Sequence, residues 1–151
     1  MKKGYSLVEL MVTVSIVGII ISFGVSAYGK GRDRQEGRAA GEQIIGFLTE
    51  NQKKANIGDE DCSGLYSGQQ IDISSGTSIS AKSNCSGIFG STKSITINGI
   101  SSMAPSTSTI TFKPLAQGVS ASTTINYVTT SGSTFQVQVS STGTIEYKGI
   151  Q

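Results

Sequence analysis

A long apolar run occupies the beginning of the chain. Between Leu10 and Tyr28 lie nineteen consecutive residues without a charged side chain. As an α-helix this run would be roughly 28 Å long, about the thickness of the hydrocarbon core of a bilayer. A basic pair, Lys2 and Lys3, and one carboxylate, Glu9, precede the run. The pattern predicts a helix that can enter a membrane, and the acid at its front requires an explanation.

Apolar residues recur at helical spacing after this run. Steps of three, four and seven residues connect Ala40, Ile44, Phe47, Leu48 and Ala55. Such a stripe predicts that the helix continues over residues 29–57 and packs one face on a sheet. Each glycine in a helix costs about 1 kcal/mol relative to alanine, so the glycines here allow a break or melted turn between Tyr28 and Arg38. Gly58 is a natural stop after Ile57.

From Gly64 onward the apolar positions alternate with polar ones at a period of two. The alternating segments are QQIDIS, SITINGI, TITFK, TTINYVTT, STFQVQVS and GTIEYK. Turn-forming residues at Ser131-Gly132 and Ser141-Thr142-Gly143 separate the last three segments. This pattern predicts a meander of antiparallel strands. The expected fold class is α+β, with a long N-terminal helix whose first half is transmembrane and whose second half packs on an antiparallel β-sheet domain.

Charge and composition narrow the possible functions. From Gly31 onward the chain carries nine Lys/Arg and nine Asp/Glu, so the domain after the apolar run is neutral and nucleic-acid binding is not expected. The sequence contains no His, which excludes a His-based catalytic triad or metal site. No G-x-S-x-G motif is present to activate one of the many hydroxyls. We therefore expect neither an enzyme nor a bound cofactor.

Two ordinary interpretations of the N-terminus leave features unexplained. A signal peptide has a basic start, an apolar middle of about 7–15 residues and a small-residue cleavage site, which VSAY at Val25–Tyr28 could provide. The apolar run here is longer, and Glu9 interrupts the expected apolar stretch. A plain membrane anchor fits the length but gives no reason for Glu9, because a charged side chain is costly within a bilayer.

A third interpretation accounts for every feature. The segment Gly4-Tyr5-Ser6-Leu7-Val8-Glu9 resembles the leader and cleavage motif of type IV pilins and pseudopilins. The resemblance runs from Lys2 to Tyr28 and includes the short basic leader, the aromatic Tyr5, the letters SLVELM, Gly18 and Ala27-Tyr28. It implies that a prepilin peptidase cuts between Gly4 and Tyr5 on the cytoplasmic side. It also implies N-methylation of the new amine on Tyr5.

The resemblance suggests an assembly role for Glu9. After the cut Tyr5 would carry a positive amine, and Glu9 lies four residues further on, about one helical turn. When such helices pack in a filament core, Glu9 is expected to pair with a Tyr5 amine. The preferred partner is the amine of a neighbouring subunit. The chain departs from many type IV pilins in one respect, because Ser26 replaces the proline at which their helix bends.

A second, looser resemblance covers the C-terminal third. The stretch from Ile110 to Gly149 resembles the end of GspH/FimT-type minor pilins and pseudopilins. The matching residues are Phe112, Pro114, Gly118, Val137, Val139, Ser140, Gly143 and Ile145. β-Meanders often contain such residues, so this motif is less specific than the N-terminal one.

Two further groups are candidate sites. Cys62 and Cys85 enclose 22 residues, and in an exported chain such a pair predicts one disulfide, contributing roughly 3.4 kcal/mol in the chain-entropy model. A redox-active pair is the alternative, but the C-x-x-C spacing is missing. The acids of GDEDC, Asp59 to Asp61, could hold a cation, yet their spacing does not match an EF-hand loop and a solvated turn is favoured.

These observations give one expectation for the whole chain. It comprises a prepilin leader (1–4), a hydrophobic transmembrane and filament-core helix (5–28), an amphipathic second half of that helix (29–57) and an antiparallel β-domain (58–151). We expect a minor pilin or pseudopilin of a type IV pilus or a type II secretion pseudopilus. A major pilin and a DNA-binding FimT-like minor pilin are the alternatives. The expected partners are prepilin peptidase, other pilin subunits and the bacterial cytoplasmic membrane, from which the subunit enters an extracellular or periplasmic filament.

Overall fold

A single helix, α1, occupies Leu7–Ile57 and precedes all the strands of the described chain. The computed structural model describes residues 6–58, 62, 64–74, 76–86, 88–105 and 108–151, without the side chains of residues 23–27. The chain divides into two units, Met1–Arg34 and Gln35–Gln151. Residues 28–38 are helical throughout, so the break allowed by the glycines does not form there.

Eight strands are present in the described part of the second unit. They are β1 (Tyr66–Ile73), β2 (Ser78–Cys85), β3 (Ile88–Thr96), β4 (Ile100–Ala104), β5 (Ser108–Phe112), β6 (Thr123–Thr129), β7 (Thr134–Val139) and β8 (Ile145–Ile150). Sheet A has the order β3-β2-β1-β5, and sheet B has the order β4-β6-β7-β8. Every pairing is antiparallel, which confirms the predicted fold class.

The predicted strands are confirmed where alternation is strong. β6 and β7 lie within predicted segments, and β1, β5 and β8 overlap theirs but extend beyond them by one to three residues. β6-β7-β8 form a meander whose turns contain Gly132 and Gly143 at positive φ. A meander does not describe sheet A, because β1 also pairs with β5. The segment SITINGI is not one strand, since β3 ends at Thr96 and β4 begins at Ile100.

β2 was missed because its inward positions lose hydrophobic character along the strand. Ile79, Ala81, Ser83 and Cys85 point to the core and are all buried. Only the first of these gives a clear apolar signal at a period of two. β3 is largely exposed along its length, so apart from its last three residues, which belong to SITINGI, it shows no alternation that could place it.

The predicted helical stripe forms the centre of the core. Ala40, Ile44, Phe47, Leu48 and Ala55 are all buried, as predicted. They belong to one cluster with the inward side chains of both sheets, such as Ile71, Ile110, Ile125 and Val137. Residues 35–57 of α1 therefore join sheet A and sheet B through a shared apolar core. The helix ends as predicted, since Gly58 has a φ of 90° and its N–H donates to the Lys54 carbonyl at 3.0 Å.

Gly37 and Gly41 allow aromatic rings of sheet B to lie directly on the helix. A Cβ at Gly37 would overlap the ring of Phe135, and one at Gly41 would lie 2.6 Å from the Tyr127 hydroxyl and 2.9 Å from the Tyr147 ring. The Tyr127 hydroxyl donates to the Gly37 carbonyl at 2.7 Å, and its ring stacks on Phe135 with centroids 5.8 Å apart. Burial raises the pKa of Tyr127, so its hydroxyl stays protonated as a donor. These two glycines therefore create the space that the rings occupy.

Polar contacts fix the helix to the loops around both sheets. The Gln52 amide donates to the Gly143 carbonyl at 2.9 Å, and the Asn56 side chain accepts from the Ala116 N–H at 3.0 Å. Lys93 of β3 reaches Glu50 at 2.8 Å, and this hydrogen bond lowers the pKa of Glu50. The contacts satisfy loop backbone groups and fix the helix along its axis, which an apolar stripe alone does less well.

Asp72 is the centre of a polar network on the outer face of sheet A. Burial alone would raise its pKa, but hydrogen bonds from Lys82, Gln70 and Thr109 outweigh burial and hold the pKa of Asp72 below its ordinary value. The Lys82 ammonium lies 2.8 Å from the carboxylate and 4.2 Å from the centroid of the Phe89 ring. The network connects β1, β2, β3 and β5 across the sheet.

We expect Gly37→Ala to destabilise the second unit by about 1–3 kcal/mol, because the new methyl group forces the buried Phe135 ring out of place. Gly46→Ala is the matched control on the same helix, since a Cβ there has open space. Gly46→Ala should stabilise the second unit by about 0.5–1 kcal/mol, because alanine has a higher helix propensity than glycine. Chemical denaturation of the full chain in detergent checks both, and equal effects of the two changes would refute the packing role of Gly37.

Asp72→Asn should lower the stability by about 1–2 kcal/mol at pH 7, because the charged hydrogen bonds of the network weaken. A carboxyl whose pKa is lowered by folding adds stability that is present above its unfolded pKa of about 3.9 and is lost as pH falls through the folded value. The difference in the free energy of unfolding between variant and parent should therefore shrink below about pH 4. Denaturation at several pH values checks this, with Glu146→Gln, at an exposed ion pair, as the control. A difference that does not change with pH would contradict it.

Candidate assembly site

The first turn of α1 is capped by Ser6. The backbone N–H of Glu9 donates to the Ser6 hydroxyl oxygen at 3.3 Å, and the N–H of Leu10 donates to the Ser6 carbonyl at 3.2 Å. Ser6 is thus the N-cap, and Glu9 is the third residue of the helix, the spacing of a capping box. Its carboxylate also lies at the positive end of the helix dipole. The letters S-x-x-E could have revealed this role of Ser6, which the sequence analysis missed.

The segment that follows is apolar on every side. Its eleven large apolar side chains between Leu7 and Ile21 are 52% to 75% exposed, and they include Val8, Leu10, Met11 and Val12 in consecutive turns. An ordinary surface helix shows one apolar stripe, whereas a helix that is apolar all round is buried in a large core or a membrane. In the described structure nothing covers this segment, so its side chains are available to lipid or to other helices.

The hydroxyl groups within the apolar segment are satisfied by the helix itself. Thr13 donates to the Leu10 carbonyl at 2.9 Å, Ser15 donates to Met11 at 2.8 Å, and Ser22 donates to Gly18 at 2.9 Å. A hydroxyl that is hydrogen-bonded in this way costs little to move from water into an apolar environment. The described polar groups of the segment are therefore compatible with burial, and Glu9 is the one charged side chain between Ser6 and Ser22.

Of the residues predicted for cleavage, methylation and assembly, the described part of the structure includes Glu9. Glu9 lies exposed in the first turn of α1. Gly4 and Tyr5, the predicted cleavage and methylation residues, lie outside the described residues, so the pairing of Glu9 with a Tyr5 amine stays a prediction. The acids Asp59 to Asp61, for which the sequence favours a solvated turn over a cation site, also lie outside the described residues. Among the described residues, no cluster of His, Cys, Asp and Glu could hold a metal ion.

Within the described part of the chain, no helix meets the combined length and hydropathy expected of a membrane span. The predicted span includes residues 23–27, whose side chains lie outside that part, and it stays a prediction.

A disulfide joins Cys62 to Cys85, whose Cα atoms are 5.6 Å apart. Cys85 is the last residue of β2 and pairs with Tyr66 of β1. The bond therefore ties the segment after α1 to one end of sheet A. Cys85 is buried, which is typical of a structural rather than a redox-active cysteine.

Comparison with known proteins identifies the beginning of the chain. The family model of the prokaryotic N-terminal methylation motif matches residues 1–25. Searches of curated proteins and of solved structures found no match. The methylation motif supports a type IV pilin-like or pseudopilin subunit, and the GspH/FimT resemblance receives no support from it. Pilin-like subunits are structural proteins, matured by prepilin peptidase and assembled with other subunits.

Proposed function

We propose that the chain is a structural subunit, a minor pilin or pseudopilin, of a type IV pilus or of a type II secretion pseudopilus. The observation that carries this proposal is the coincidence of two features in one segment. The methylation motif covers residues 1–25, and the described part of α1 within it exposes apolar side chains on every face. A filament core made of such helices would cover those side chains.

Maturation would begin with cleavage between Gly4 and Tyr5, followed by N-methylation of Tyr5. Since α1 begins at Leu7 with Ser6 as its cap, the cut would leave the capped helix complete. The cytoplasmic membrane would hold the apolar segment until assembly. The chain would catalyse no reaction, and its mechanism would be insertion, extraction and packing.

Glu9 would determine the position of each helix in the filament. Moving a carboxylate into an apolar core without a partner is costly, and pairing it with a Tyr5 amine of a neighbour removes most of that cost. The pair would then select one register among the many that apolar side chains alone permit. Glu9 lies in the first turn of α1, and this is the end of the helix that would carry the new amine.

The intact mass of the protein from its native membrane tests the maturation step. We expect loss of Met1 to Gly4 and a gain of one methyl group on Tyr5. The protein from cells that lack prepilin peptidase should have the mass of the chain with its complete leader. A cut near Ala27-Tyr28, or a complete leader despite active peptidase, would overturn the proposal.

Glu9→Val should leave cleavage unchanged and lower the fraction of the subunit found in filaments by at least about tenfold, because the neighbouring amine loses its partner. The control is Glu42→Val, which removes an exposed acid elsewhere on α1. Comparison of sheared filaments with membranes gives both fractions. Normal incorporation of the Glu9→Val subunit would contradict the role of Glu9.

A further inference from the structure

A short turn, Asn98-Gly99, connects sheet A to sheet B. β3 of sheet A ends at Thr96, and β4 of sheet B begins at Ile100. The residues on either side of the turn, Ile97 and Ile100, are only 1% and 6% exposed. The turn therefore joins two residues that are both anchored in the core.

Hydrogen bonds hold the backbone of this turn in place. The Asn98 N–H donates to the side-chain oxygen of Gln43 on α1 at 3.3 Å, and the Gly99 carbonyl accepts from the Thr130 N–H at 3.2 Å. Within the part of the chain that the structure describes, neither the Gly99 N–H nor the Asn98 side-chain amide makes a hydrogen bond. These two adjacent groups are therefore available to each other, while the backbone around them is fixed.

The surroundings of Gly99 leave the turn open to solvent. Gly99 has a φ of 81°, and a Cβ at this position would meet nothing within 4 Å. Asn98 is exposed. Because glycine has no side chain that shields its own nitrogen, the Asn98 side chain can approach this nitrogen closely. Water can reach the same atoms.

We infer that Asn98 is a site of spontaneous deamidation in the folded protein. The Gly99 backbone nitrogen attacks the side-chain carbonyl carbon of Asn98 and forms a new C–N bond. Its proton passes to the departing side-chain nitrogen, which leaves as ammonia, and a cyclic succinimide remains. Water then opens the ring at either of its carbonyl carbons, which leaves an aspartate or an isoaspartate at position 98. The steps together exchange an amide for a carboxylate, with water as the co-reactant.

The other asparagines of the chain lack this combination of features. Each lies within a helix or a strand and is followed by a residue that carries a side chain. They are Asn51 and Asn56 in α1, Asn84 in β2 and Asn126 in β6. The Asn51 amide donates to the Phe47 carbonyl at 2.8 Å, and the Asn126 side chain accepts from Gln136 at 3.0 Å. Asn51 and Asn126 are therefore matched controls within the same chain.

Deamidation changes the connection between the sheets in two ways. Both products place a negative charge beside α1, close to Gln43. In isoaspartate the backbone passes through the former side chain, which adds one methylene group between Ile97 and Ile100. Because both isoleucines are buried, the turn has to absorb the added length. We expect the bond from position 98 to Gln43 to be lost and the second unit to become less stable.

Peptide mapping of the full chain in detergent tests the site. The protein is incubated in neutral buffer, and samples taken at increasing times are digested and analysed by mass spectrometry. We expect the peptide that contains Asn98 to convert into two products of equal mass, each heavier by the difference between a carboxylic acid and an amide. The peptides of Asn51 and Asn126 should convert at least about tenfold more slowly. A sample digested without incubation measures the conversion that occurs during digestion.

The chain incubated in denaturant shows how fast the same residues react without the fold. An unchanged Asn98 peptide in the folded chain, at a time when the denatured chain has been converted, would overturn the inference, because the folded turn would then prevent the attack. Equal conversion at Asn51 or Asn126 would overturn the assignment to this turn.

Asn98→Gln is the matched variant for the chemistry. Its side chain is one methylene group longer, so the ring that it would form is larger and closes more slowly, while the backbone N–H that bonds Gln43 is retained. The variant should show no conversion at position 98 and should keep the Tm of the parent. Conversion as fast as in the parent would refute the succinimide route.

Asn98→Asp separates the new charge from the added backbone length. The freshly purified variant has the charge of both products but a backbone of ordinary length. We expect the deamidated fraction of the parent, isolated by anion exchange, to have a lower Tm than this variant, because that fraction contains isoaspartate. Equal Tm values would overturn the expected effect on the connection between the sheets. Deamidation requires only the folded second unit and water, so these results are independent of the proposed function.

Discussion

Burial of one stripe of α1 against both sheets is the constraint on which the β-domain depends. Sheet A and sheet B contribute to a single core only because Ile44, Phe47 and Leu48 occupy the space between their inward faces. Close approach at Gly37 and Gly41 lets Phe135 and Tyr127 complete that core. The direction of α1 then determines where each loop lies, because the polar contacts of Gln52 and Asn56 occur at fixed heights along the helix.

The two parts of the same helix have different surroundings. Between Leu7 and Ile21 its apolar side chains are exposed on all sides, and its hydroxyls are bonded to its own carbonyls. From Gln35 onward one face is buried by the chain's own sheets, and the other carries ion pairs such as Arg38 with Glu42. The apolar face of residues 35–57 is buried by the protein itself. The apolar side chains between Leu7 and Ile21 can be buried only by lipid or by other helices.

Local signals predicted the helix and the strands with strong alternation, and long-range contacts decided the rest. The helical stripe and the strands β6 and β7 have a strong period, so their burial follows from the sequence. The pairing of β1 with β5 has no local signal, because more than thirty residues separate the two strands. Every glycine inside a helix lowers its intrinsic stability, and only the position of Phe135 shows that Gly37 also admits a neighbouring ring. At the N-terminus the motif around Glu9 was evident from the sequence, whereas the polar contacts of Gln52 and Asn56 with distant loops have no local signal.

The arrangement of charge and apolar surface indicates where the proposed filament subunit would make contacts. The polar network around Asp72 spans the outer face of sheet A, and that face would otherwise offer a flat contact area to any partner. Among the described residues, exposed large apolar side chains are instead concentrated between Leu7 and Ile21 of α1. In the proposed filament subunit this distribution would direct assembly to the helix, where the pair of Glu9 with a Tyr5 amine would define one register.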